Sequence, residues 1–181
     1  MLILILSGVA ALVLVLVIAA SLQPDDFRIT RSATIAAPPD MVFAQVNDFH
    51  QWEHWSPWAA LDPDSKLTYD GAPSGEGSIY SWDGNSKVGA GRMTLLESNP
   101  DNLIKIKLEF FRPFKAAHTT EFTFKPAGMQ TDVAWSMYGK NNFVAKLMLL
   151  VMNCDKMIGG SYEKGLANLN DVVRTATPRH S

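Results

Sequence analysis

Three different hydrophobic patterns divide the chain. The first is unbroken. Met1 to Leu22 carries no charged side chain and is interrupted only by Ser7, Gly8 and Ser21. About twenty apolar residues, rising about 1.5 Å each as a helix, span the roughly 30 Å hydrocarbon core of a bilayer. A transmembrane anchor over residues 1–22 is therefore predicted. A secretory signal is its rival, with Ala19-Ala20-Ser21 as the cleavage site, but the apolar run is long for one and no basic residue precedes it. Arg28 and Arg31 follow the run, which by charge alone places the domain in the cytoplasm; two arginines leave the side of the membrane open.

The second pattern alternates. Phe27, Ile29, Ala33 and Ile35 face one way and Arg28, Thr30, Ser32 and Thr34 the other, predicting a strand with Arg31 set on its apolar face. Pro38 and Pro39 suit the start of a short helix over 41–49, with Val42, Phe43 and Val46 on one side. From Lys66 onward strands are predicted over 66–70, 78–83, 89–98, 103–112, 116–125 and 132–138. Asp83-Gly84-Asn85 reads as a hairpin turn. The alternation is plainest where Ile104, Ile106, Leu108 and Phe110 oppose Lys105, Lys107 and Glu109, and where Phe122 and Phe124 oppose Glu121, Thr123 and Lys125. His118 and Glu121, three apart, fall on opposite faces and read as surface residues.

The third pattern has the helical period. One long helix is predicted from about Phe143 to Thr175, with Asn141 or Asn142 as its cap. Its first half is apolar nearly all round, so it should be buried on most sides; it is too short for a second span. Gly159, Gly160 and Gly165 each cost about 1 kcal/mol against alanine in a helix interior, so they point to a bend or a close approach to the sheet. The resulting plan is an anchor over 1–22, a linker over 23–26, a domain over 27–175 and a tail over 176–181. The order of strand, short helices, six further antiparallel strands and long helix makes the domain α+β, with the helix packed on one sheet face.

Composition narrows the classes. A chain of 181 residues with formal net charge -2 holds one sizeable core and offers no basic surface for nucleic acid. Its single cysteine, Cys154, sits among apolar residues and reads as a buried thiol.

The densest candidate chemistry is Asp48 to Trp58, which holds three of the five tryptophans and two of the four histidines. His50, Glu53 and His54 spell H-x-x-E-H, a spacing used by some zinc peptidases. A catalytic zinc normally needs a third protein ligand on a rigid frame. Pro57 cuts the segment short and tryptophans fill its gaps, so neither a metal nor another cofactor is expected. Trp52, Trp55 and Trp58 read instead as an aromatic wall. Gly75-Glu76-Gly77 lacks the third glycine and helix of a phosphate loop.

The stretches Ile35 to Phe43, Trp52 to Trp58, Tyr80 to Asn85, Val133 to Met137, and Asp155 to Gly159 leading to Glu163-Lys164-Gly165-Leu166 resemble one family. It is the bacterial polyketide cyclase/dehydrase (SRPBCC) branch of the START-like superfamily, which includes members with an N-terminal membrane segment. The resemblance covers about Phe27 to Val173. It implies a helix-grip fold, with a curved seven-stranded antiparallel sheet wrapped round the C-terminal helix. It also implies a ligand cavity between sheet and helix, and a single-pass protein of a bacterial cell membrane. Candidate ligand-binding residues are Trp55, Trp58, Tyr80, Trp82, Arg92, Leu108, Phe110, Trp135, Met137, Met148 and Met152, with Arg31 as a second inward cation. Each aromatic or methionine is individually as well explained by the core. The leading function is binding of a hydrophobic small molecule or lipid. A polyketide cyclase/dehydrase-like enzyme and a co-chaperone-like interaction module are the alternatives.

Overall fold

The computed structural model of the chain describes residues 1–176; the predicted tail falls outside these from residue 177 on. Helix α1 (Leu2–Ser21) is followed by β1 (Asp26–Ile35), α2 (Pro39–Asn47) and the single turn α3 (Trp52–Trp55). Then come β2 (Lys66–Gly71), β3 (Ser78–Asp83), β4 (Ala90–Asn99), β5 (Leu103–Arg112), β6 (Ala116–Ala127) and β7 (Gln130–Lys140). Two helices close the chain, α4 (Phe143–Val151) and α5 (Cys154–Ala176).

All seven strands form one antiparallel sheet in the order β1-β7-β6-β5-β4-β3-β2, curved around α5, as the alternation and the helix-grip resemblance predict. Every strand except β1 pairs with its sequence neighbour, which short turns favour; β1 returns to close the far edge on β7. One face, here called inner, packs on α2, α3 and α5 and is set by Ile35, Met93, Leu95, Ile104, Ile106, Phe122, Phe124, Val133 and Trp135, all buried.

Three features differ from the sequence reading. First, the terminal helix is broken. Met152 is extended, and the Asn153 side chain accepts the Lys156 N–H at 2.9 Å, so α5 starts afresh with its own cap. The apolar half becomes the separate helix α4, capped by Asn142 and packed on α1. Second, β3 and β4 are joined by a loop over 84–89 rather than a tight turn; the Asp62 carboxylate holds it by accepting the Asn85 N–H at 2.6 Å. Third, β1 begins one residue into the predicted linker.

Two glycines of α5 do mark close approaches. A Cβ on Gly159 would collide with the Arg31 guanidinium, and one on Gly165 would lie 2.7 Å from the Trp135 ring and 3.1 Å from Pro57. Arg31 lies on the inner side of β1, as its parity predicts. Its Nε donates to Glu163 at 2.7 Å and its Nη2 to Asp155 at 2.9 Å. It therefore clamps β1 to two positions on α5, which accounts for a cation on an apolar face without a ligand. Gly160 is different: a methyl added there would meet nothing within 4 Å.

Candidate functional site

Two zones share the inner face. One is solid. Trp55 is 1% exposed and its indole donates to Gln45 O at 3.2 Å, while Trp52 donates to Val46 O at 2.9 Å. Trp135 is sandwiched between Tyr162, at 3.9 Å and 8° between rings, and Phe122, at 4.7 Å and 28°. Its indole N–H donates to Thr120 Oγ1 at 2.9 Å. Burial pushes the Tyr162 hydroxyl up to about 12, against the opposing effect of its hydrogen bond with Thr120. Trp55 and Trp135 thus do core work: their flat faces are already covered by protein. Met137 is buried beside them.

The other zone is half-buried and aromatic. Tyr80 stacks on Trp82 at 6.0 Å, Trp82 meets Phe110 edge-on at 5.9 Å, Phe110 lies 6.4 Å from His118, and His118 meets Phe27 edge-on at 4.9 Å. This band crosses the sheet from β3 to β1. Glycine makes it possible at two places. Trp82 lies over Gly91 of β4, where a Cβ would collide with the ring, and His118 lies over Gly139 of β7, where a Cβ would fall 2.7 Å from Nδ1. Each ring can lie along the sheet only because its neighbour lacks a side chain. Leu108, paired with His118 across β5 and β6, adds a half-buried aliphatic surface. Trp58, half-buried, packs on the solid zone instead, edge-on to Trp135 at 5.9 Å and to Tyr162 at 6.2 Å.

His118 corrects the expectation of a surface residue. Strand parity puts it on the same face as Thr120, Phe122 and Phe124, so its inward direction is legible in the sequence; Glu121 is on the outer face, where it accepts from Tyr138 at 3.3 Å. Burial lowers the His118 pKa below its ordinary 6.5, favouring the neutral ring. Its Nδ1 is buried without a hydrogen-bond partner. A buried N–H is rarely left unpaired, so the ring proton is assigned to Nε2. Tyr80 is the other inward titratable group of the band; burial, with Tyr69 and Glu53 behind it, pushes its phenol up to about 12.

Arg92 is not in this zone. Gly91, Met93 and Leu95 make the inner set of β4, so Arg92 projects from the outer face, where its Nε donates to Ser81 at 3.3 Å and its guanidinium lies 6.0 Å from the Phe111 ring. Met148 and Met152 are not on α5. Met148 is half-buried on α4. Met152 is exposed at the helix break, where it lines a cleft of about 420 Å³ with Gln23, Leu149, Leu150, Cys154 and Asp155. Cys154 is consequently half-buried rather than buried.

The histidines of Asp48–Trp58 are engaged locally. His50 stacks on Tyr69 at 4.1 Å and its Nδ1 shares a hydrogen with Asp48 at 2.8 Å. Burial works to raise the Asp48 pKa, but the backbone N–H and ring of His50 with the Gln51 amide hold the carboxyl below its ordinary range. His54 Nδ1 lies 3.3 Å from Gln51 O. His50 sits in a 3-10 turn and His54 in α3, so the pair does not share one continuous helix.

Similarities to known proteins agree with this architecture. Among curated proteins none matches the sequence. A Staphylococcus aureus protein of unknown function superposes with TM-score 0.63 at 11% identity, over 84% of this chain and 96% of that one. The Aha1 dimer from Colwellia psychrerythraea gives TM-score 0.57 at 14% identity, over 81% and 96%. The di-domain ARO/CYC StfQ from the steffimycin biosynthetic pathway gives 0.60 at 10%, over 84% of this chain and 52% of that one. At such identities these likenesses speak to fold alone. The sequence itself goes further: residues 26–174 match the family model described as polyketide cyclase/dehydrase and lipid transport, and the chain belongs to that family.

Proposed function

We propose that the chain is a membrane-anchored domain that binds a hydrophobic small molecule or lipid against the half-buried aromatic band of its inner face. The single observation that carries this reading is the band itself. A row of rings seated on Gly91 and Gly139 leaves flat apolar surface half-exposed beside a core that is otherwise closed. Burying that surface against a ligand gains about 25 cal/mol per Å². The reading is supported by family membership, and the anchor by the 19-residue apolar stretch Ile3–Ser21, of which 6% is buried in protein. Trp82, Phe110, Leu108 and Tyr80 form the apolar contact. Trp55, Trp135 and Met137 support it from below. His118 supplies the polar anchor: with its proton on Nε2 it donates, so the matching ligand group is an acceptor such as a carbonyl, carboxylate or ether oxygen.

The test uses the full chain in vesicles doped with a diazirine-bearing fatty acid. After illumination, labelled peptides outside α1 should map to β3, β5 and β6 on the inner face. Labelling confined to α1 and the outer face would remove the ligand site from the band.

A further inference from the structure

The aromatic band sits at one end of the sheet. Trp82 is next to last in β3, Phe110 is near the end of β5, His118 is near the start of β6, and Phe27 is second in β1. That is the end at which α1 joins. The joint is tied rather than loose. Asn141 N donates to Asp25 O at 2.7 Å, Asn141 Nδ2 donates to Pro24 O at 3.0 Å, and Lys146 of α4 pairs with Asp25. With α4 also packed on α1, a membrane-spanning α1 fixes this end of the domain against the bilayer surface.

The same end carries exposed apolar side chains where a water-facing surface would be polar. Phe111 and Phe114 flank the tip of the β5–β6 hairpin, Phe114 at 59% exposure. Phe143 and Val144 open α4, and Leu22 follows α1; all three are exposed. The opposite end presents Asn99-Pro100-Asp101-Asn102 and the turn at Gly128, with Met129 and, towards the end of β4, Leu96 as exposed apolar residues. Exposed apolar groups gathered at one end mark a contact surface, and the tied anchor says what it contacts. We propose that the hairpin tip and the first turn of α4 are immersed in the bilayer interface, so that the aromatic band opens onto lipid rather than onto water. Its ligand then passes between bilayer and site without crossing the aqueous phase. This rests on the anchored, ligand-binding reading above.

The experiment keeps the full chain. In a Cys154→Ser background, a nitrobenzoxadiazole dye is attached to Phe114→Cys or, as the far-end control, Met129→Cys. Both proteins are reconstituted in phosphatidylcholine/phosphatidylglycerol vesicles with or without lipid spin-labelled near the headgroup. Immersion predicts a blue-shifted dye at 114, quenched at least about twofold more than the dye at 129. A chain that stays with the vesicles but shows equal, weak quenching at both sites overturns the immersion alone. A blue-shifted dye at 114 that lipid spin labels do not quench makes the patch a protein interface and also overturns it. A chain that does not sediment with vesicles overturns the anchor reading and the immersion with it.

Discussion

Three glycines in one helix should respond to the same substitution with different signs. At Gly160 an added methyl meets nothing within 4 Å, so alanine brings only its helix-propensity gain, about 1 kcal/mol. At Gly165 the methyl would sit 2.7 Å from Trp135, a ring that Tyr162 and Phe122 hold from both sides and that cannot step aside. Overpacking of this kind costs about 1–3 kcal/mol, so after the helix gain Gly165→Ala should lose up to roughly 2 kcal/mol. The gap between the two variants is then about 1–3 kcal/mol, or roughly 2–12 °C in Tm for a domain of this size. Gly159 is the conditional case. Its methyl displaces the Arg31 guanidinium from Asp155 and Glu163, so Gly159→Ala should gain little alone and the full helix increment once Arg31→Ala has removed the obstacle. Urea unfolding of the full chain in mild detergent, followed by tryptophan emission, reads only the domain, because no tryptophan lies in α1. Equal stability of Gly160→Ala and Gly165→Ala would refute the close packing of α5 on Trp135. An Arg31-independent effect at Gly159 would refute the clamp.

Other outcomes follow from the division of the inner face. Trp82→Ala removes at most about 100 Å² of ring surface offered to a ligand, so affinity for a fluorescent fatty-acid probe should fall by up to roughly 70-fold. His50→Ala with His54→Ala should leave that affinity within about twofold. Trp55→Ala should instead cost about 3–5 kcal/mol of stability, seen as early urea unfolding, since Trp55 is core. For His118 the folded pKa is depressed, so falling pH protonates the unfolded chain first and stability declines below about pH 6.5; His118→Phe should flatten that slope. For Tyr162 the folded pKa is raised to about 12, so its contribution is complete below pH 10 and is lost between about 10 and 12; phenolate absorbance should show it ionising only as the domain unfolds.

Strand order and helix packing are legible in the sequence because the sheet is wet on one face and dry on the other, which writes a period of two into β5 and β6. Arg31 is placed correctly for the same reason, and its clamp explains the odd glycine opposite it. Three things are obscured. The break at Met152 hides inside an apolar run, and only the capping potential of Asn153 marks it. Arg92 keeps the right parity with Thr94 but belongs to the outer face, since Leu96 in the same set is solvent-exposed and Leu95 is the buried one. His118 reads as a surface residue by its polarity, although its even spacing from Phe122 and Phe124 places it inward. In the stretch Asp48–Trp58 the tryptophans divide by depth: Trp52 and Trp55 fill the core, and Trp58 packs half-buried against it.

The most direct measurement is native mass spectrometry of the full chain extracted from its expressing cells in mild detergent. A ligand held on the aromatic band predicts one apolar small molecule per chain, carrying an acceptor oxygen, retained by the His50→Ala/His54→Ala variant and lost from Trp82→Ala. A bare chain, or an adduct that Trp82→Ala keeps in full, would contradict the account.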